Sequence, residues 1–148
     1  MTNIRIATEA DLPRLIELLA QLAADNPDRE DPSRLTDYAA ALARSEAQGQ
    51  RLLVAEAGGR VVGTLVLVLL ENLSHQAKPY AIIENVVVDE AERGKRIGEA
   101  LIRHAIDTAR AAGCYKVSLT SNKRRTKAHR FYERLGFERT HEAFRINL

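Results

Sequence analysis

The chain has 148 residues, a net charge of +2, one cysteine and no tryptophan. This length argues for a single domain, 1–148, that buries roughly 70% of the surface its unfolded form exposes. The lone thiol, Cys114, excludes an internal disulfide and a C-x-x-C pair for zinc or redox work, so no metal site is expected.

The small net charge speaks against nucleic acid as a partner. The basic residues do form two clusters, Arg93-Lys95-Arg96 and Lys123-Arg124-Arg125, each of which alone reads equally as a solvated face. No apolar run approaches the ~20 residues of a membrane helix. The N-terminus, MTNIRIATEADL, has no basic region followed by an apolar one, and a soluble cytoplasmic protein is expected.

In chain order, Asn3–Ala7 predicts a short strand. Thr8 then caps a helix from about Glu9 to Ala24, with Leu12, Leu15, Leu19 and Leu22 on one stripe. A Pro- and Asp-rich break, Asn26–Asp31, precedes a second helix, Pro32–Gln48. Arg51–Ala57 and Arg60–Leu70 read as strands joined by Gly58-Gly59, a two-residue hairpin signal. After a polar loop, Asn72–Pro79, the strand Tyr80–Val88 is apolar enough to be buried on both faces. Gly94–Ala112 predicts a helix ended by Gly113, then a strand Tyr115–Thr120 and a helix Lys123–Leu135. Phe137–Thr140 and Glu142–Asn147 complete the pattern as a final hairpin. Hairpins early and strand–helix alternation late imply an α/β (α+β) architecture, a mixed sheet with helices on both faces.

One junction stands out. In E-N-V-V-V-D-E-A-E-R-G-K-R-I-G the third long strand hands over to a helix through Arg93-Gly94-Lys95-Arg96-Ile97-Gly98. A helix start leaves N–H groups unbonded and carries a positive partial charge; Gly94 and Gly98 allow close approach, and three cations add full charges. This is chemistry for a phosphate or pyrophosphate. The bland alternative is a tight turn at Gly94 and helix packing at Gly98. Neither a Walker loop nor a dinucleotide fingerprint fits, because Glu99-Ala100 follow Gly98 and the glycine spacing is wrong.

The stretch V-V-V-D-E-A-E-R-G-K-R-I-G-E-A-L-I resembles the acetyl-coenzyme A motif of the GNAT superfamily of N-acetyltransferases, [QR]-x-x-G-x-[GA]. It matches at Arg93 and Gly98, with Arg96 where the middle glycine is usual. A later family block, A-x-x-F-Y-x-x-x-G-F, matches in full from Ala128 to Phe137. The tail S-N-K-R-R-T-K-A-H-R-F-Y further resembles aminoalkylphosphonate N-acetyltransferases. I-E-N-V-V-V and G-C-Y-K are similar to segments of glucosamine-6-phosphate N-acetyltransferases, with Asn85 where those carry an acid.

The resemblance implies a mixed, mostly antiparallel sheet of six to seven strands with about four helices, splayed between the fourth and fifth strands. It implies acetyl-coenzyme A as cosubstrate and direct transfer of acetyl to a primary amine of a small molecule. The backbone of Val86, Val87 and Val88 is expected along the pantetheine arm. Arg93 and the N–H groups of Gly94, Lys95, Arg96, Ile97, Gly98 and Glu99 are expected at the pyrophosphate. Arg125, where an asparagine is usual, is expected at a phosphate, and Tyr132 is expected to protonate the leaving thiolate; its alternative is plain packing beside Phe131. Family members often dimerise, and Ala143–Leu148 offers an edge strand for a homodimer.

A lysine-like amine with pKa ~10.4 is about one part in a thousand neutral near neutral pH, a deficit of roughly 4 kcal/mol, so a base is needed. Glu84 is the candidate, since strand alternation would put it on one face with Val86 and Val88; its alternative is an edge carboxylate paired with a lysine. A backbone N–H at Val86 or a neighbour would serve as oxyanion donor. Asn85, His75 and His129 are candidates for the acceptor pocket. Two other readings stay open: a protein lysine or N-terminal acetyltransferase, and a non-catalytic acyl-coenzyme A-binding module.

Overall fold

Five strands form one sheet in the order β1-β2-β3-β4-β5: β1 (Thr2–Ile6), β2 (Gln50–Ala57), β3 (Arg60–Leu70), β4 (Tyr80–Val88) and β5 (Val117–Leu119). The computed structural model describes residues 1–22 and 29–148, in two compact units, Met1–Ser118 and Leu119–Leu148. β1 to β4 are antiparallel neighbours, and β5 runs parallel to the start of β4, with Tyr115 N–H donating to Pro79 O and Ala81 N–H to Lys116 O. The Gly58-Gly59 hairpin forms as expected, both glycines in the left-handed region (φ 58° and 73°) that a two-residue turn requires.

In the first unit, helices α1 (Leu12–Leu22) and α2 (Leu35–Ala47) lie on one face of the sheet and α4 (Ile97–Ala111) on the other. Leu12, Leu15 and Leu18 of α1 pack with Ala7, Val54, Val61 and Val87, while Leu101, Ile102, Ala105 and Ala109 of α4 are fully buried. A Cβ at Gly63 would stand 3.1 Å from Leu101 Cδ1 and 3.2 Å from Val87 O. A side chain there would push α4 or the β4 backbone back by a few tenths of an ångström.

Thr8 and Asp11 close the start of α1: the Asp11 carboxylate accepts from the Thr8 N–H at 2.8 Å and from both Arg5 guanidinium nitrogens at 2.7 and 2.9 Å. The expected end of the first helix at Ala24, and the first half of the Asn26–Asp31 break, lie outside the described residues.

Three expectations are corrected. The sheet has five strands, not six to seven, because Phe137–Thr140 and Glu142–Asn147 form no strand; Phe144 and Ile146 are instead 92% and 84% exposed. A fifth helical element, α3 (Ser74–Ala77), appears in the polar loop as one left-handed turn, with φ of 53°, 61° and 60° at His75, Gln76 and Ala77. The helix after β4 begins at Ile97 rather than Gly94, because Gly94 (φ 81°) and Arg96 (φ 61°) are non-helical and a 3-10 turn, Glu90–Glu92, intervenes.

Candidate active site

β4 carries the first half of the site, and its geometry is set by a bulge. Val66 pairs with Glu84 and Thr64 with Val87, so Asn85 and Val86 together face the single residue Leu65. Asn85 takes the extra turn in the left-handed region (φ 53°), which asparagine tolerates better than most residues. The bulge leaves one backbone group of this pair outside the ladder.

It also overturns the alternation expected for Glu84. Glu84 pairs with Val66, on the face covered by α1 and α2, whereas Val88 pairs with Gly63, on the face covered by α4. Val86 shares the α4 side with Val88. Glu84 and Asn85 are exposed.

Asp89 N–H donates to Val62 O at 2.8 Å, so the groups of Val88 point away from β3. With Tyr115 bonded to Pro79 and Lys116 to Ala81, β5 ends at Leu119 about level with Glu84, and among the described residues it does not reach Val88. Val88 O accepts instead from Arg93 Nε at 3.2 Å.

The turn that follows gathers the expected cations. Lys95 pairs with Glu92 at 2.7 Å, and Glu99 accepts from Arg103 at 2.9 Å. The first α4 bond runs from Ala100 N–H to Arg96 O at 3.1 Å, so the N–H groups of Ile97, Gly98 and Glu99 are free of helical partners. Arg96 holds the position the motif reserves for glycine, in the left-handed conformation that explains the preference. The site therefore presents unbonded N–H groups and three cations, a fit for a diphosphate.

Sequence reasoning missed a pair at the root of this turn. Asp89, 6% exposed, accepts from the Arg14 guanidinium and from Ala91 N–H at 3.2 Å. The Ala91 N–H and the Arg14 guanidinium hold its carboxyl below the usual range. The signal was an acid directly after an apolar strand.

His75 sits in a cavity of about 260 Å³ with Gln76, Lys78 and Tyr115. Its ring stacks on Tyr115 at 3.9 Å, and the Lys116 ammonium stands 5.4 and 5.5 Å from the Tyr80 and Tyr115 rings. The left-handed turn that presents His75 is tied by Asn72, whose amide donates to Ser74 O at 3.1 Å and Lys78 O at 3.3 Å. Tyr80, by its pairing with Leu70, shares the sheet face of Glu84. Neither Lys78 nor Lys116 had been singled out from the sequence.

The second unit carries α5 (Thr126–Arg134), which presents Tyr132. The ring is half-buried, edge-on to Phe131 (5.1 Å) and Phe137 (5.9 Å). Burial pushes its phenol up from the ordinary value, against the opposing pull of the Arg125 charge. Such a phenol keeps its proton at neutral pH. Arg125 stands at the entry of α5, where its N–H donates to Asn122 O at 3.0 Å. His129 Nε2 bonds the same carbonyl at 2.8 Å, so its ring braces the loop before α5. Among the described residues, no three His, Cys, Asp or Glu gather as a metal site.

Comparison with known proteins identifies the family. The model of the acetyltransferase (GNAT) family matches residues 14–137. The chain is 31% identical over 147 residues to a glucosamine 6-phosphate N-acetyltransferase of Trypanosoma brucei brucei, covering 99% of this chain and 95% of that one. It is 38% identical over 86 residues to an aminoalkylphosphonate N-acetyltransferase of Salmonella typhimurium, covering 58% of this chain and 55% of that protein. A crystal structure from Bacillus halodurans C-125, described as a transcriptional regulator, superposes over 100% of both chains with TM-score 0.93 and 33% identity.

Proposed function

The chain belongs to the GNAT family of acetyltransferases, and from that premise we propose that it moves the acetyl group of acetyl-coenzyme A directly to the primary amine of a small, anionic molecule. The family match crosses both compact units and supports reading 1–148 as one N-acetyltransferase domain. The observation that carries the reading is the β4 edge running into the cationic, N–H-rich turn at Arg93–Glu99.

In this reading the pantetheine arm lies along the open edge of β4 at Val86, Val87 and Val88. Its pyrophosphate meets Gly94, Lys95, Arg96, Ile97, Gly98 and Glu99, with Arg93 and Arg125 as further cations. The amine nitrogen adds to the thioester carbonyl carbon, the backbone group freed by the bulge stabilises the oxyanion, and the C–S bond breaks as the C–N bond stays. Glu84 takes the amine proton, and Tyr132 gives its phenolic proton to the departing sulfur. A thiolate whose conjugate acid has a pKa of ~8.5 is a weaker base than phenolate, so that transfer is uphill by roughly 2 kcal/mol or more and works only as the sulfur leaves.

The open hollow at His75 supports the acceptor class. Lys78 and Lys116 supply cations and Tyr115 a flat wall, on a strand face shared with Glu84 through Tyr80. Tyr80 and Glu84 stand about 13 Å apart along β4 by strand rise, on one sheet face. Both named relatives act on amines that carry a phospho group, and that supports the same class. Asn85 and His129 belong to the acceptor side in this reading.

Release of coenzyme A across aminoalkylphosphonates, amino sugar phosphates, polyamines, amino acids and lysine peptides tests it. Strong turnover of a phosphorylated amine is expected; turnover of peptides alone would move the reading to protein acetylation. The name of the Bacillus halodurans structure raises a regulatory, non-catalytic role, which silence across the panel with tight coenzyme binding would favour.

A cytoplasmic location and a homodimer belong to the same proposal. Among the described residues no helix is long and apolar enough to cross a membrane. The exposed alternation Phe144, Ile146, Leu148 supports an edge strand shared between copies. Sedimentation of a Phe144→Asp, Ile146→Asp double variant as a monomer would bear out the dimer; an unchanged mass would end it.

A further inference from the structure

Arg14 and Gln21 lie seven residues apart on α1, two turns along one helix face. Both reach the same short segment. The Arg14 guanidinium pairs with Asp89, donates through Nε to Val61 O at 2.9 Å and pairs with Glu17 at 2.7 Å. Gln21 Oε1 accepts from Glu90 N–H at 3.1 Å. Arg60 adds a second cation 3.8 Å from the Asp89 carboxylate.

From Glu90 to Arg96 the remaining side-chain bonds are local: Arg93 to Val88 and Lys95 to Glu92. Among the described residues, Gln21 bonds Glu90 within this segment, and Arg14 and Arg60 reach Asp89 directly before it. Asp89 itself bonds three ways, to the β3 ladder through its N–H, to Ala91 at the head of the 3-10 turn, and to α1. A buried carboxylate with that many partners fixes direction as well as position.

We propose that Arg14 and Gln21, acting through Asp89 and Glu90, are positioning residues that aim the Arg93–Gly98 turn, so that α1 sets the affinity of that turn for the coenzyme's diphosphate. The inference rests on the acetyl-coenzyme A reading above. Its physical content is that the free N–H groups at Ile97–Glu99 bind an anion well only when they converge, and convergence is set by how the chain leaves β4. α1 also covers the sheet face that carries Glu84, so one helix is fastened to the donor turn and borders the acceptor side.

The experiment is calorimetric titration of coenzyme A into the full chain and its Arg14→Lys, Arg14→Met and Gln21→Leu variants, with melting temperature and steady-state kinetics on each. Gln21→Leu removes one hydrogen bond and Arg14→Lys keeps the charge, so both are expected to fold. They should weaken coenzyme A binding by about threefold to tenfold and raise KM for acetyl-coenzyme A alike, with kcat at saturation unchanged. Arg14→Met should weaken binding further. A purely structural role would lower the melting temperature and leave affinity at the wild-type value, and that result overturns the inference. Failure of the wild-type chain to bind coenzyme A would instead strike the acetyltransferase reading itself and remove this inference with it.

Discussion

Glu84 and Val88, four residues apart on one strand, face opposite sides of the sheet, because the bulge at Asn85-Val86 inserts one residue between them. The carboxylate stands on the face of α1 and α2, and the strand then runs out on the face of α4, ahead of the turn Arg93–Arg96 that carries the cations. In the proposed reaction, donor and acceptor approach from the two faces of this strand and meet at its edge. Glu84→Gln keeps the shape and removes the base, so kcat should fall about 100-fold with KM for acetyl-coenzyme A unchanged. Steady-state kinetics at saturating acceptor checks this; an unchanged kcat would leave Glu84 as an ordinary exposed carboxylate.

That opposition was hidden from the sequence, and the reason is specific. Period-two reasoning carries through Y-A-I-I-E-N-V-V-V without interruption, and nothing there but Asn85, one of the few residues at ease with positive φ, marks the slip. What could be read directly was whatever depends on local chemistry: the Gly58-Gly59 hairpin, the spans of β3 and β4, the cap at Thr8, and the two family motifs. The helix after β4 began three residues later than expected because Arg96, a good helix former by propensity, is held left-handed. The His75 cavity depends on Tyr115 stacking on a ring far back in the chain, and the Arg14–Asp89 pair spans 75 positions. Contacts at such separation leave no periodic trace.

Tyr132 has its phenol raised by burial, only partly offset by the Arg125 charge. An acid with a raised pKa is fully protonated below its ordinary value near 10 and stays so somewhat above it. The basic limb of kcat against pH should therefore not arise from Tyr132 anywhere between pH 7 and its ordinary value. Tyr132→Phe should lower kcat by about 10- to 100-fold with coenzyme A affinity preserved. Arg125→Ala, which removes the opposing charge, should shift the phenol's ultraviolet titration further upward; a downward shift would contradict the assigned electrostatics.

Asp11 links pH to stability at the other end of the first unit. Its hydrogen bonds from Arg5 lower its pKa from 3.8 to about 2. For an acid depressed in the folded state, the stabilisation is present above the unfolded pKa and is lost as pH falls through the folded one. Asp11→Asn should therefore cost about 1–2 kcal/mol at pH 7, discounted because Arg5 is one-third exposed, and nearly nothing at pH 2. Urea unfolding at the two pH values checks it; an equal cost at both would assign the effect to the lost cap alone.

Arg96 presents the sharpest conflict between backbone and side chain. A non-glycine residue at φ 61° costs about 1–2 kcal/mol, and glycine at that position would relieve it while adding about 0.4–1 kcal/mol of entropy to the unfolded chain. The difference leaves Arg96→Gly more stable by up to about 1.6 kcal/mol. The same change removes a cation from the mouth of α4, so coenzyme A binding should weaken several-fold at low salt and converge on the wild type as salt screens the charge. Stability gained with salt-dependent affinity lost would mean that this chain tolerates a strained residue for its charge. Affinity unchanged at every salt concentration would mean that the backbone N–H groups of Ile97, Gly98 and Glu99 hold the anion without Arg96.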